Sequence, residues 1–167
     1  MKVVFWVAVL VAAAIYLTMT VWTMPLLMAE GEGLRPFDLR PFGYTSAEAR
    51  EYLAAITEEG IAVYLGPQHM MDRVYPAVLA LMFVTGELIL FRRWLAAALI
   101  AVALIGAGAD YMENGLVARL LTENAPGDAL IGRASLATAV KSICATIGFV
   151  ALIVGGLRAG VARLRGA

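Results

Sequence analysis

Four stretches of this chain hold no charged side chain: residues 3–29, 74–86, 94–109 and 142–157. Crossing about 30 Å of hydrocarbon takes roughly 20 residues of helix at 1.5 Å each. The first stretch supplies a span over 3–24 as it stands. The second does so over 74–91 if Glu87 is accepted near one end. The third runs over 94–114 if Asp110 and Glu113 lie at the far boundary, and the fourth over 134–157 with Lys141 inside it. The expected fold class is all-α: an integral membrane four-helix antiparallel bundle. It forms a single membrane domain over residues 1–167, with a short amphipathic helix in the first outer loop.

Composition agrees with that reading. The chain is 62% hydrophobic and 16% charged, against about 25% charged in an ordinary soluble domain. A formal net charge of zero gives no basic face for nucleic acid. The lone Cys144 excludes an intramolecular disulfide and reads as a buried, inert thiol. The apolar run behind Lys2 is longer than the roughly 7–15 residues of a secretory h-region. Leu27-Met28-Ala29 is no small-x-small cleavage site, so the run reads as an uncleaved first helix, with Pro25 marking its outer end.

Charge sets the direction. With the N-terminus in the cytoplasm, Lys2, Arg92, Arg93, Arg158, Arg163 and Arg165 gather on that side with no acidic neighbour. Glu30, Glu32, Asp38, Glu48, Glu51, Glu58, Glu59 and Asp72 fall on the other side, in the outer loop 30–72. This is a positive-inside pattern with both termini cytoplasmic. Arg92-Arg93 is a turn so short that the second and third helices must be antiparallel neighbours.

Residues 31–43 are rich in Gly and Pro and read as irregular. Thr45-Ser-Ala-Glu48 then has the form of a capping box. Ala49, Leu53 and Ile56 recur at helical spacing, with Gly60 placed to close the helix. This helix is expected to lie on the outer membrane surface or to cap the bundle. Residues 123–128, with a Pro-Gly pair, form the second outer turn.

Charge at membrane depth is costly and points to function. Arg93 to Asp110 is seventeen residues, and Arg158 back to Lys141 is also seventeen, about 25 Å of helix in each case. Asp110 and Lys141 are thus expected to share a depth and to pair. Asp72 and Glu113 come about one turn further out. At about 100° per residue, Lys141 shares a stripe with Ala134, Ala137, Thr138, Ala145 and Gly148. Asp110 and Asn114 share one with Ala96, Ala103, Gly106 and Ala107. Asp72 aligns with Leu79, Phe83 and Gly86. Small residues line packed membrane helices, so the polar groups should face the interior. One Lys141–Asp110 pair leaves Asp72 and Glu113 needing Arg73, Arg119, Arg133, a proton or a bound cation.

Other signals carry less. His69, Met70 and Met71 are soft or borderline metal ligands, suited to copper but too few for a site. No CxxC, HExxH or paired-histidine motif supports haem or zinc, and no glycine-rich phosphate loop is present, so no cofactor is expected. Glu87 lies about 8 Å inside the cytoplasmic edge by helical rise, within snorkelling reach of Arg92.

Gly43-Tyr44, Asp72-Arg-Val-Tyr-Pro76 and Asp110-Tyr-Met-Glu113-Asn114 together resemble a group of small, functionally uncharacterised bacterial four-helix integral membrane proteins. The similarity covers most of residues 43–121. It implies an architecture, a bacterial inner-membrane setting and a candidate site at Asp72, Asp110, Glu113 and Asn114; it implies no reaction. Lys141 lies outside the matched region.

Three functions fit this pattern. The leading one is a non-enzymatic membrane protein whose outer-facing pocket binds a cation or a small amphiphilic ligand through Asp72, Asp110, Glu113, Asn114 and Lys141. The second is a membrane-embedded enzyme acting on a lipid or lipophilic substrate, with Asp72 or Glu113 as catalytic acid or base. The third is an accessory or assembly subunit in which the charges only hold helices together. The bilayer is the expected partner in each, and no protein partner is indicated.

Overall fold

The computed structural model describes residues 1–166. Its helices are α1 (Lys2–Glu30), α2 (Ser46–Ala55), α3 (Glu58–Leu90), α4 (Arg93–Thr122) and α5 (Asp128–Gly166). All but α2 are long and apolar enough to cross a membrane. A strap, residues 31–45, joins α1 to α2 and contains one 3-10 turn, Phe37–Leu39.

Pro25 does not end α1. The helix continues through it to Glu30, because Met19–Thr23 form a π-helical turn just before it. A proline removes one donor and presses its ring on the carbonyl four residues back. The wider π turn relieves both demands. Similarly, α3 starts at Glu58, well before residue 74, and passes Pro67 through a second π turn, Tyr64–Gln68, kinked at Gly66.

Gly60 likewise does not close α2. The helix stops at Ile56, and Thr57 caps α3 by accepting from the Gly60 N–H at 3.0 Å. Gly60 must be small there, since a Cβ would meet Glu30 Cβ at 2.7 Å. The outer loop 30–72 is thus a strap, α2 and the first turns of α3. The expected capping box is present: Glu48 N–H donates to Thr45 Oγ1 at 3.2 Å, and Thr45 N–H to Glu48 Oε2 at 2.7 Å.

Helix α4 packs along α3 and α5, α1 packs on α3, and α3 also touches α5. Residue 72 meets 114 while 83 packs near 103, so numbering rises along α3 as it falls along α4. At the end holding Met1 and the Arg92–Arg93 turn, α1 and α5 converge on Gly86. A Cβ there would meet Phe5 at 2.8 Å and Leu152 at 2.5 Å.

The opposite end is closed by the strap and α2. Phe37 and Tyr52 are fully buried with Leu27, Leu120 and Ile131. Removing one such side chain from water is worth about 1.5–3 kcal/mol, enough to seat α2 as a cap. Strap and α5 also meet at Gly43, whose φ is +82°. A Cβ there would stand 2.6 Å from Ser135 Oγ. The next residue, Tyr44, donates its N–H to that same Oγ at 2.7 Å.

Candidate functional site

The site begins with a carbonyl that has lost its helical partner. Pro76 lies four residues after Asp72 inside α3 and has no N–H to offer the Asp72 carbonyl. Asn114 of α4 supplies the missing donor, its Nδ2 lying 2.9 Å from that oxygen. Tyr111 of α4 donates from Oη to the next carbonyl, that of Arg73, at 3.1 Å. The Asp-x-x-x-Pro and Asp-x-x-Glu-Asn patterns are therefore two halves of one contact.

The Asp72 side chain is held from the other direction. Gln68 Nε2 donates to Asp72 Oδ2 at 2.8 Å, and Thr23 Oγ1 of α1 donates to Gln68 Oε1 at 2.5 Å. Thr23 and Gln68 are fully buried. This chain links α1 to α3 through polar atoms in an apolar setting, where a missing partner would be costly.

Lys141 of α5 is the hub of the charges. Its Nζ contacts Glu113, and lies 3.3 Å from Asp110 Oδ1 and 3.4 Å from Asp38 Oδ1. Glu113 is fully buried, and its Oε1 accepts from Thr138 Oγ1 at 2.5 Å. Asp38 Oδ2 accepts from Tyr64 Oη at 2.5 Å. The Asp110–Lys141 pairing expected from depth is present, and Lys141 also contacts Glu113, about one turn further along α4. The long lysine stem spans that turn and brings Glu113 into contact.

The expected arginine counter-ions do not enter. Arg119 forks onto Glu123 at 2.7 Å, and Arg73 and Arg133 are exposed. Among the described residues, the site therefore sets four carboxylates against one ammonium.

Beside this cluster is a cavity of about 430 Å³ between α1, α3, α4 and α5. Asp38, Gln68, Asp72, Asp110 and Lys141 form its polar end under the strap. Below them the wall is apolar, with Leu79, Ala107, Cys144 and Ala145. It ends at Phe83 and Phe149, whose rings meet edge to face at 5.1 Å. Lys141 to Phe149 is eight residues, so the apolar part runs about 12 Å along the helices.

Three of the five expected ligand residues, Asp72, Asp110 and Lys141, line this cavity. Glu113 and Asn114 stand behind them and hold them in place. Asp38, Gln68, Thr23, Thr138 and Tyr64 belong to the site and were not among the residues singled out for it. Asp38 had no local signal, being one of eight acids in a polar loop. Thr23 and Gln68 had a faint one, Thr23 as a polar residue inside an apolar run and Gln68 as one beside a run.

Tyr44 in the strap and Tyr52 in α2 stay neutral. Burial pushes both phenols well above their usual value, with a further push from Glu113 on Tyr44 and from Asp38 on Tyr52. The metal candidates do not converge: His69 borders a small crevice while Met70 is 69% exposed. Among the described residues no three His, Cys, Asp or Glu side chains are grouped to hold a metal ion.

Glu87 is fully buried, and neither of its oxygens has a hydrogen-bond partner among the described residues. The expected reach to Arg92 is not made. Its carboxylate is enclosed instead of reaching the turn.

No protein-family model, curated protein or solved structure matches this chain.

Proposed function

We propose that this chain is a four-helix antiparallel membrane protein with both termini in the cytoplasm, and that its cavity holds one small amphiphile. Four long helices with large exposed apolar side chains, among them Leu10 and Ile153, support the membrane setting. The basic residues at the Arg92–Arg93 turn and along the last turns of α5 support the orientation. A bacterial inner membrane follows from the resemblance of the Asp72–Pro76 and Asp110–Asn114 segments.

The observation that carries the binding reading is the cavity's division into a polar end and an apolar shaft. Ligand pockets commonly have about 300–1,000 Å³, with a few polar groups in an apolar lining. A purely structural cluster needs no such space beside it. Nor does the arrangement favour Glu113 as a catalytic base. It sits behind Lys141 and Thr138, out of reach of a molecule in the cavity.

The test is an Ala145→Phe variant, which fills the shaft one turn below Lys141 without touching a charge. Protein extracted in mild detergent would be compared with wild type by native mass spectrometry and thermal unfolding. A bound amphiphile is expected in wild type and absent from the variant, with unfolding little changed. Equal occupancy of both proteins, or of neither after incubation with membrane lipid extract, would overturn the reading.

A further inference from the structure

We infer that the amphiphile carries a cationic, ammonium-type head and a single aliphatic chain of about nine carbons. This rests on the reading of the cavity as an amphiphile site and adds the ligand's class.

The head follows from a count of donors and acceptors. An ammonium has three protons to give and no acceptor. Those of Lys141 face three carboxylates, on Glu113, Asp110 and Asp38. An anionic head entering the cavity would find that cation already saturated and four carboxylates close by. A cationic head meets the opposite arrangement. Asp72 is 9% exposed and lines the cavity. Gln68 occupies Oδ2, and Oδ1 takes no hydrogen bond among the described residues. Asp110 also lines the cavity, and Lys141 approaches only its Oδ1.

The chain length follows from the floor. Phe83 cannot move aside on the α5 face, since a Cβ on Gly148 would lie 2.8 Å from its ring. Phe149 packs edge to face against that ring at 5.1 Å. The shaft of about 12 Å matches about nine extended carbons at roughly 1.3 Å each, from a C–C bond near 1.5 Å.

The experiment uses the full chain in nanodiscs of zwitterionic lipid. Decylammonium, decyl sulfate and decyl maltoside are titrated by calorimetry, with Ala145→Phe protein subtracting simple partitioning into the bilayer. Decylammonium is expected to bind at least about tenfold tighter than the other two, the ratio one charge-assisted hydrogen bond supports. Asp72→Asn, in protein shown to unfold like wild type, should erase that preference. An alkylammonium series from hexyl to hexadecyl should peak near nonyl or decyl. Equal or tighter binding of decyl sulfate or decyl maltoside sinks the cationic head while leaving an amphiphile site standing. A flat chain-length series sinks the floor. If no probe binds wild type better than Ala145→Phe, the cavity reading falls as well. If Asp72→Asn does not fold, the comparison of heads on wild type still decides.

Discussion

Asn114 of α4 donates its side-chain amide to the backbone carbonyl of Asp72 in α3, at 2.9 Å, and Pro76 is the reason that carbonyl is free. A side chain from one helix thus completes the backbone of another at the edge of the cavity. Asn114→Ala would leave a buried carbonyl without a donor, at a cost of about 1–3 kcal/mol. Pro76→Ala supplies an N–H four residues after Asp72. In the Asn114→Ala background it should therefore recover stability, although each substitution alone lowers it. Equilibrium unfolding of the four proteins forms a double-mutant cycle. Additive losses would mean that the two residues do not share this carbonyl.

Lys141 is the only ammonium in contact with Glu113 among the described residues, and Glu113 is fully buried. Lys141→Met leaves that carboxylate without its counter-charge. Breaking a buried pair in this way typically costs about 3–5 kcal/mol. Adding Glu113→Gln removes the stranded charge and keeps a group that can accept from Thr138, so the double variant should be more stable than Lys141→Met alone. Thermal unfolding in one detergent measures both. A Lys141→Met protein as stable as wild type would show that the charges do not hold the helices.

The strap is pinned at Gly43 by a positive φ of +82° and by contact with Ser135. Gly43→Ala places a methyl 2.6 Å from Ser135 Oγ and strains the backbone, together about 1–3 kcal/mol. The effect should be local. A glutamate-specific endopeptidase should cut after Glu32 in the strap faster than in wild type, while cleavage after Glu123 is unchanged. Unaltered cleavage of the strap would mean that Gly43 is not its anchor.

Acid should loosen α2. The Thr45 N–H and hydroxyl hold the exposed Glu48 carboxyl below its usual value of 4.5. A carboxylate with a lowered folded value contributes stability that is fully present above the unfolded value. That contribution is lost as pH falls through the folded value. Amide protection factors over residues 46–55, taken against the intrinsic rate at each pH, should therefore fall below about pH 4.5. The Glu48→Gln variant should lose most of that acid dependence while keeping a weaker cap. Identical pH profiles for the two proteins would exclude the box as the cause.

The faces of the long helices were legible in the sequence. The stripe containing Ala134, Ala137, Thr138 and Gly148 is buried, and Ala103, Gly106 and Ala107 line the cavity. Helical periodicity fixes which residues share a side, and small residues mark where backbones approach. Helix ends were less legible at Pro25 and Gly60. There π turns and a neighbouring cap override the usual meaning of proline and glycine. Such overrides depend on what packs against the backbone, which residue type does not record.

By itself the sequence determined four apolar helices, their charged ends, and the common level of Asp110 and Lys141. Each of these follows from local composition or from helical rise along one segment. Only the tertiary structure decided that Lys141 serves three carboxylates rather than one. It also decided that Asp38 arrives from the strap, and that Glu113 and Asn114 support the cavity rather than face it. The reason is that partner choice depends on the direction of side chains across helices far apart in the chain. The strap can deliver an acid to the cavity only after Phe37 and Gly43 have docked it there.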